Sequence, residues 1–354
     1  MLDKHGRFKA CLIGGAIGDA LGYPIEFMKL HEIKNKYGNS GLNELLLDKT
    51  SNKALISDDT QMSLFTADGM VWAYRRCSER GIGSYAGSGT YQSYLRWLYT
   101  QTGKIKDDNW LQKTPYEKDN SNELFILDMK ELFACRAPGN TCLSALESGL
   151  IGSVDNPINN SKGCGGIMRV APVGLFLHDE PKYAFRVGCE IAALTHGHPT
   201  GYLSAGAFAL IIAELLNNKD LVDSIKSAKN TLIEYENHEE TLAAINLAIE
   251  LSNCKIPIEE AISKMGEGWI AEEALAIALY CALKEPNFEK ALVISVNHDG
   301  DSDSTGSICG NILGALLGME SIPEKWFDSI EINYFIESMA DKLFNTYIQK
   351  FSRQ

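Results

Sequence analysis

The feature that most constrains this chain is a pair of glycine stripes at helical spacing. "FKACLIGGAIGDALG" places Gly14, Gly18 and Gly22 four residues apart, and "GSICGNILGALLG" repeats the pattern with Gly306, Gly310, Gly314 and Gly318. Glycine costs about 1 kcal/mol relative to alanine inside a helix. A regular stripe of it therefore predicts a neighbouring helix so close that side chains must be absent. "GYLSAGAFALIIAELL" (201–216) reads as a third small-residue helix. "TLAAINLAIELS" and "AEEALAIALYCAL" carry apolar residues at three- and four-residue spacing. No stretch alternates apolar and polar residues convincingly enough for a strand. The expected fold is all-α, one domain over residues 1–354, with the polar helices around 217–250 outside.

The net charge of −13 argues against a general binder of phosphate backbones, so no nucleic-acid partner is expected. The longest uncharged stretches, near 201–213 and 304–319, fall short of the ~20 residues a membrane span needs. "MLDKHGRFKA" lacks the apolar region of a signal peptide. The nine cysteines are odd in number and show no CxxC, which reads as buried reduced thiols. These points favour a cytoplasmic protein with no membrane partner. Two segments, 101–122 and 152–166, read as polar surface loops.

Two acidic clusters carry the chemistry. "HDGDSDSTG" sets Asp299, Asp301 and Asp303 at alternate positions ahead of the second glycine stripe. An EF-hand needs Gly at position six and Glu at twelve. Counted from Asp299, those positions are Ser304 and Gly310; counted from Asp301, they are Gly306 and Ile312. Neither start closes the loop. Far upstream, "SDDT" places Ser57, Asp58, Asp59 and Thr60 before an apolar run. One such cluster alone reads as helix capping. Two of them, dominated by carboxylate and hydroxyl oxygens, suit a hard cation such as Mg²⁺, Mn²⁺ or Ca²⁺.

"GDALGYPIEF", "SDDTQM", "GCGGIMRVAP", "THGHPTGYL" and "GDSDSTG" occur in that order across residues 14 to 318. Together they resemble the ADP-ribosylglycohydrolases, and most of all their arginine-directed branch. The resemblance implies an all-α fold of that type with a centre of two divalent cations, Mg²⁺ or Mn²⁺, in a cleft. It implies Ser57, Asp58, Asp59, Asp301, Asp303 and Ser304 as metal ligands, with Asp299 outside the ligand set. It places Glu26 over the substrate cleft. "GCGGIMR" would contact the diphosphate and ribose through Gly163, Cys164, Gly165, Gly166 and Met168. Backbone N–H groups crowd an anion readily where side chains are missing. His198 would lie near the ADP-ribose, and "RAPGN" (136–140) and Trp269 would line the cleft. Asp19, inside an apolar helix, is expected to accept a hydrogen bond rather than do chemistry.

The implied reaction is hydrolysis of the bond between ADP-ribose and an arginine of a modified protein. Serine-linked or O-acetyl-ADP-ribose is the alternative substrate. Such hydrolysis passes through an oxocarbenium-like ribosyl state and needs a positioned water and an acid near the leaving nitrogen. Asp59 is the preferred base, with Asp58 beside it and Glu26 as acid or gate. An ADP-ribosyltransferase toxin is a further candidate partner, which the protein would counter by reversal or by blocking. The 101–122 segment is the candidate contact surface for it.

Overall fold

The computed structural model describes residues 3–104, 111–113 and 125–352. Of the 101–122 segment, 105–110 and 114–122 therefore lie outside the described residues. The helices are α1 (Lys4–Gly22), α2 (Leu30–Tyr37), α3 (Asp58–Arg80), α4 (Tyr91–Thr102), α5 (Asn140–Ser148), α6 (Ala171–Phe176), α7 (Pro181–Ala193) and α8 (Pro199–Leu216). They continue as α9 (Leu221–Leu232), α10 (Glu239–Asn253), α11 (Ile258–Met265), α12 (Ala271–Lys284), α13 (Phe288–Val296), α14 (Ser302–Leu317), α15 (Glu324–Ser329) and α16 (Asn333–Ser352). Only isolated β-bridges occur among the described residues. The all-α expectation holds.

The two glycine stripes meet each other. An ideal Cβ on Gly18 would lie 2.0 Å from the Gly306 carbonyl oxygen, and one on Gly14 would lie 2.4 Å from that of Gly310. Reciprocally, a Cβ on Gly310 would lie 2.0 Å from Gly14 O, and one on Gly314 2.0 Å from Ala10 O. Rising residue numbers on α1 face falling ones on α14, so the pair is antiparallel. This places the end of α1 beside the start of α14, where Gly22 touches the Ser302 carbonyl. The close approach predicted from spacing is thus a single helix–helix seam, and it sets the geometry of the cleft.

The apolar core runs from Phe8 to Tyr347 as one contiguous cluster. At its centre α8 packs against α6, α7, α9 and α12. It is the one described helix long and apolar enough to cross a membrane, and 89% of that window is buried inside the fold. Its all-round hydrophobicity therefore belongs to a central core helix. On the outside, α9 buries only one stripe, Leu221, Ile225, Ala228 and Leu232, as its amphipathic spacing requires.

Candidate active site

Three helix ends converge on one cleft of about 390 Å³. Its floor holds Glu26, Asp58, Asp59, Asp301, Asp303 and Ser304. The start of α3 brings Asp58 and Asp59, and the start of α14 brings Asp303 and Ser304 with the capping Asp301. The end of α1 runs through the turn Tyr23–Ile25 to Glu26. One carboxylate oxygen each from Glu26, Asp301 and Asp303 lie within 4.8 Å of one another.

Asp19 explains why α3 begins here. It is fully buried on α1. Its carboxylate accepts the Ser57 N–H at 3.0 and 3.1 Å and the Thr60 N–H at 3.1 Å, and also takes the Thr60 hydroxyl. It thereby satisfies donors that the first turn of α3 leaves open. The glycine seam holds α14 against one face of α1, while Asp19 holds α3 against the same helix. Asp19 accepts hydrogen bonds, as its position in an apolar helix suggested. Arg136 adds a second anchor: it pairs with Glu331 and donates to the Ile56 carbonyl at 2.9 Å.

The floor is electrostatically loaded. Burial, then Asp301, Asp58 and Asp19, push the Glu26 carboxyl up to about 9. Burial, reinforced by Asp19 and Asp301, raises Asp58 to about 8 against the Gly139 N–H that favours its charge. Burial first, and then Asp58 beside Asp59 and Asp59 beside Asp303, hold both carboxyls well above the carboxylate range. Glu26 Oε2 and Asp59 Oδ2 are buried with no hydrogen-bond partner among the described residues. Buried polar atoms without partners are costly. A hard cation relieves both problems, because it supplies positive charge and takes oxygen ligands. The residues present therefore fit a divalent cation.

One wall is the glycine loop. Gly163 bridges Ile270, and the Cys164 N–H donates to the Trp269 carbonyl at 3.1 Å. Gly163, Cys164, Gly165 and Met168 line the cleft. The Cys164 thiol donates to Asp301 Oδ2 at 2.7 Å, and burial next to that carboxylate raises it well above the thiol range. It is a protonated hydrogen-bond donor, unsuited to nucleophilic attack. The mouth carries Phe27 and Trp269 stacked with ring centroids 5.7 Å apart. Lys29 and the Trp269 indole both bond Glu267, tying the α1–α2 turn to the strip before α12.

Three residues sit differently from the sequence expectation, while Asp299, expected outside the ligand set, is absent from the cleft lining. Ser57 caps α3, its Oγ accepting the Asp59 N–H at 3.2 Å, and it is absent from the cleft lining. Gly166 is absent from the cleft lining, and a Cβ there would meet Ala192 and His196. His198 caps α8 by accepting the Thr200 N–H at 3.1 Å, because the ring precedes Pro199 at the helix start. Asp299 is half-exposed and accepts the Leu30 N–H at 2.7 Å in the groove beside α2. The histidine in the cleft is His196, which with Asn140, Thr141 and Cys142 completes the lining. The i, i+2 histidine pair could not reveal which ring faces inward, since that depends on where α7 ends and α8 starts.

This arrangement defines a class: a helical protein whose carboxylate floor suits a hard cation and whose glycine wall suits an anionic ligand. The family model for ADP-ribosylglycohydrolases matches residues 2–352, and the chain belongs to that family. It is 24% identical to the ADP-ribosylarginine hydrolase Tri1 of Pseudomonas putida, over 96% of this chain and 78% of the relative. It is 30% identical to the ADP-ribosylhydrolase ARH3 of Bos taurus, over 48% of this chain and 54% of the relative. Among solved structures, an ADP-ribosylglycohydrolase-related protein complex aligns with a TM-score of 0.67 at 20% identity, covering 98% of this chain and 99% of that one. The family hydrolyses ADP-ribose linkages and is generally metal-dependent.

Proposed function

We propose that this protein hydrolyses the N-glycosidic bond of mono-ADP-ribosylated arginine on proteins, releasing ADP-ribose. The observation that carries a hydrolytic role is the buried floor itself, with Asp59 Oδ2 and Glu26 Oε2 unpartnered in a cleft walled by the glycine loop. Arginine as the linkage is supported by the likeness to Tri1 over 96% of this chain, against 48% for the ARH3 alignment.

Asp59, Asp301 and Asp303, with Asp58 and Ser304 beside them, would hold two divalent cations, Mg²⁺ or Mn²⁺. When bound, such ions grip hydroxyl oxygens and acidify a bound water. The chain's own groups do the rest. The Gly163–Gly165 loop, whose Gly163 and Cys164 N–H groups already serve Ser161 Oγ and the Trp269 carbonyl, walls the diphosphate side of the ligand and, lacking side chains at both glycines, leaves it room. Asp59, with its free oxygen, takes the proton of the attacking water. Glu26, whose burial favours the protonated carboxyl, delivers a proton at the leaving nitrogen. Phe27 and Trp269 cover the mouth and limit water entry. The nine unpaired cysteines suit a reducing cytoplasm.

The test compares three substrates side by side: a protein ADP-ribosylated on arginine, one modified on serine, and O-acetyl-ADP-ribose, each with and without Mg²⁺ or Mn²⁺. Cation-dependent release of ADP-ribose mainly from the arginine-linked substrate supports the reading. Release mainly from serine would move the chain toward ARH3-like activity. A toxin-blocking role predicts that Asp58→Ala/Asp59→Ala still protects against a cognate ADP-ribosyltransferase toxin, whereas catalytic reversal predicts that protection is lost.

A further inference from the structure

Arg169, the last residue of the glycine loop, is completely buried. Among the described residues no carboxylate lies within ion-pair distance of its guanidinium. Nη2 donates to Thr195 Oγ1 at 2.6 Å and to the Ile191 carbonyl at 3.2 Å. Nη1 meets Cys142 Sγ at 3.4 Å and Met62 Sδ at 3.5 Å, and Nε has no partner among the described residues. The Tyr94 ring lies 4.4 Å below it. A buried cation without a counter-ion is expensive. Soft and neutral partners offset only part of that, so the group calls for a role beyond packing.

Its strongest hydrogen bond leads into the cleft. Thr195 Oγ1 also lies 2.8 Å from His196 Nδ1. A guanidinium only donates, so the threonine oxygen accepts from Arg169 and keeps one proton to give. His196 Nδ1 is an acceptor within reach. The Thr195 side chain also reaches the Cys142 thiol, which burial pushes up to about 11, but sulfur is a weak acceptor and the imidazole nitrogen the stronger one. Nδ1 is therefore the bare nitrogen and Nε2 carries the proton. His196 Nε2 has no partner among the described residues, and the ring lines the cleft. A Cβ on Gly165 would lie 3.0 Å from His196 Cε1 and 3.3 Å from Nε2, so the glycine admits the ring to this position.

We propose that Arg169 and Thr195 are positioning residues that hold His196 as a neutral ring with its proton on Nε2, a hydrogen-bond donor aimed at an oxygen of bound ADP-ribose beside the glycine loop. Burial and then the Arg169 charge bring the His196 imidazole down to about 3, so the ring stays uncharged across the working range. His196 thereby binds and orients, and the proton transfers fall to the carboxylates. The identity of the ligand rests on the hydrolase reading; the tautomer does not.

The experiment uses the Mg²⁺-loaded full-length protein with ¹⁵N-labelled histidine. Long-range ¹H–¹⁵N spectra distinguish the two neutral tautomers, and calorimetry reads ADP-ribose affinity. The wild-type protein and Thr195→Ser should show His196 as Nε2–H and bind alike. Thr195→Val, which keeps the branched shape and loses the hydroxyl, should mix or invert the tautomer and weaken ADP-ribose binding about tenfold, the scale of one hydrogen bond. Arg169→Gln should do the same if it folds, but Thr195→Val carries the test alone. An Nδ1–H ring in the wild-type protein overturns the relay. So does a Thr195→Val variant with unchanged tautomer and affinity. Absence of ADP-ribose binding to the wild-type protein, with the ring as Nε2–H, overturns the hydrolase reading and the assigned ligand while the relay stands.

Discussion

Replacing Gly18 by alanine tests the seam on which the cleft depends. The new Cβ would lie 2.0 Å from Gly306 O, 2.3 Å from Gly306 C and 2.9 Å from Ser307 N. Ordinary contact begins near 3.4 Å, so about 1.4 Å of separation is required. All three neighbours are backbone atoms of α14 and have no rotamer to yield. Gly14 and Gly22 hold the same close distances on either side, so relief requires moving one helix against the other. Overpacking of a tight core costs ~1–3 kcal/mol, occasionally more, and a clash with backbone belongs at or above the top of that range. Alanine returns about 1 kcal/mol of helix propensity. The expected net loss is therefore about 2 kcal/mol or more.

Gly6 supplies the control in the same helix. A Cβ there meets nothing closer than the Asp3 carboxylate at 3.4 Å, so Gly6→Ala should be neutral or slightly stabilising. Urea unfolding monitored by far-ultraviolet circular dichroism reads both variants, and a shift in midpoint at constant slope reports stability. The Gly18→Ala variant should also lose activity out of proportion to its stability, because a displacement on the order of 1 Å between Glu26 and Asp301 costs about 10²-fold in a positioned site. If Gly18→Ala unfolds at the wild-type midpoint, the helices are not in backbone contact and the reasoning fails.

Glu26→Gln should separate stability from function. It removes the cost of keeping a buried carboxyl protonated next to Asp301, so the cation-free protein should gain thermal stability, while turnover falls about 10²–10⁴-fold; a drop in both would refute the assigned role. The cation-free protein should also be pH-sensitive. Asp58 and Glu26 are raised to about 8 and about 9 from ordinary values of 3.8 and 4.5. Their native state holds protons that the unfolded chain releases, so this stabilisation is complete below the ordinary values and disappears as pH rises toward 9. Melting temperatures between pH 5 and pH 9, with chelator and with Mn²⁺, should diverge at the alkaline end; parallel curves would contradict the cluster. Asp19→Asn should cost ~1–3 kcal/mol through loss of acceptors for the α3 turn, and hydrogen exchange should quicken at Thr60; unchanged protection there would show that α3 starts without it.

Residue spacing alone determined several things about this protein. Stripes at a period of four forced close helix contact, because only missing side chains let backbones touch. The absence of two-residue alternation excluded sheets. Carboxylates without soft ligands pointed to hard-cation chemistry, because donor type is a property of the residues themselves. Tertiary structure decided what those pieces do together. The α1–α14 seam is antiparallel, and that direction brings Glu26, distant in sequence, to Asp301 and Asp303. Asp19 ties the other acidic cluster to the same helix through backbone donors that no motif displays. The two neighbouring histidines divide between a helix cap and the cleft, and Ser57 is a cap rather than a lining group. These assignments depend on where a helix begins in space and which way a ring turns, and both follow from packing across hundreds of residues rather than from local order.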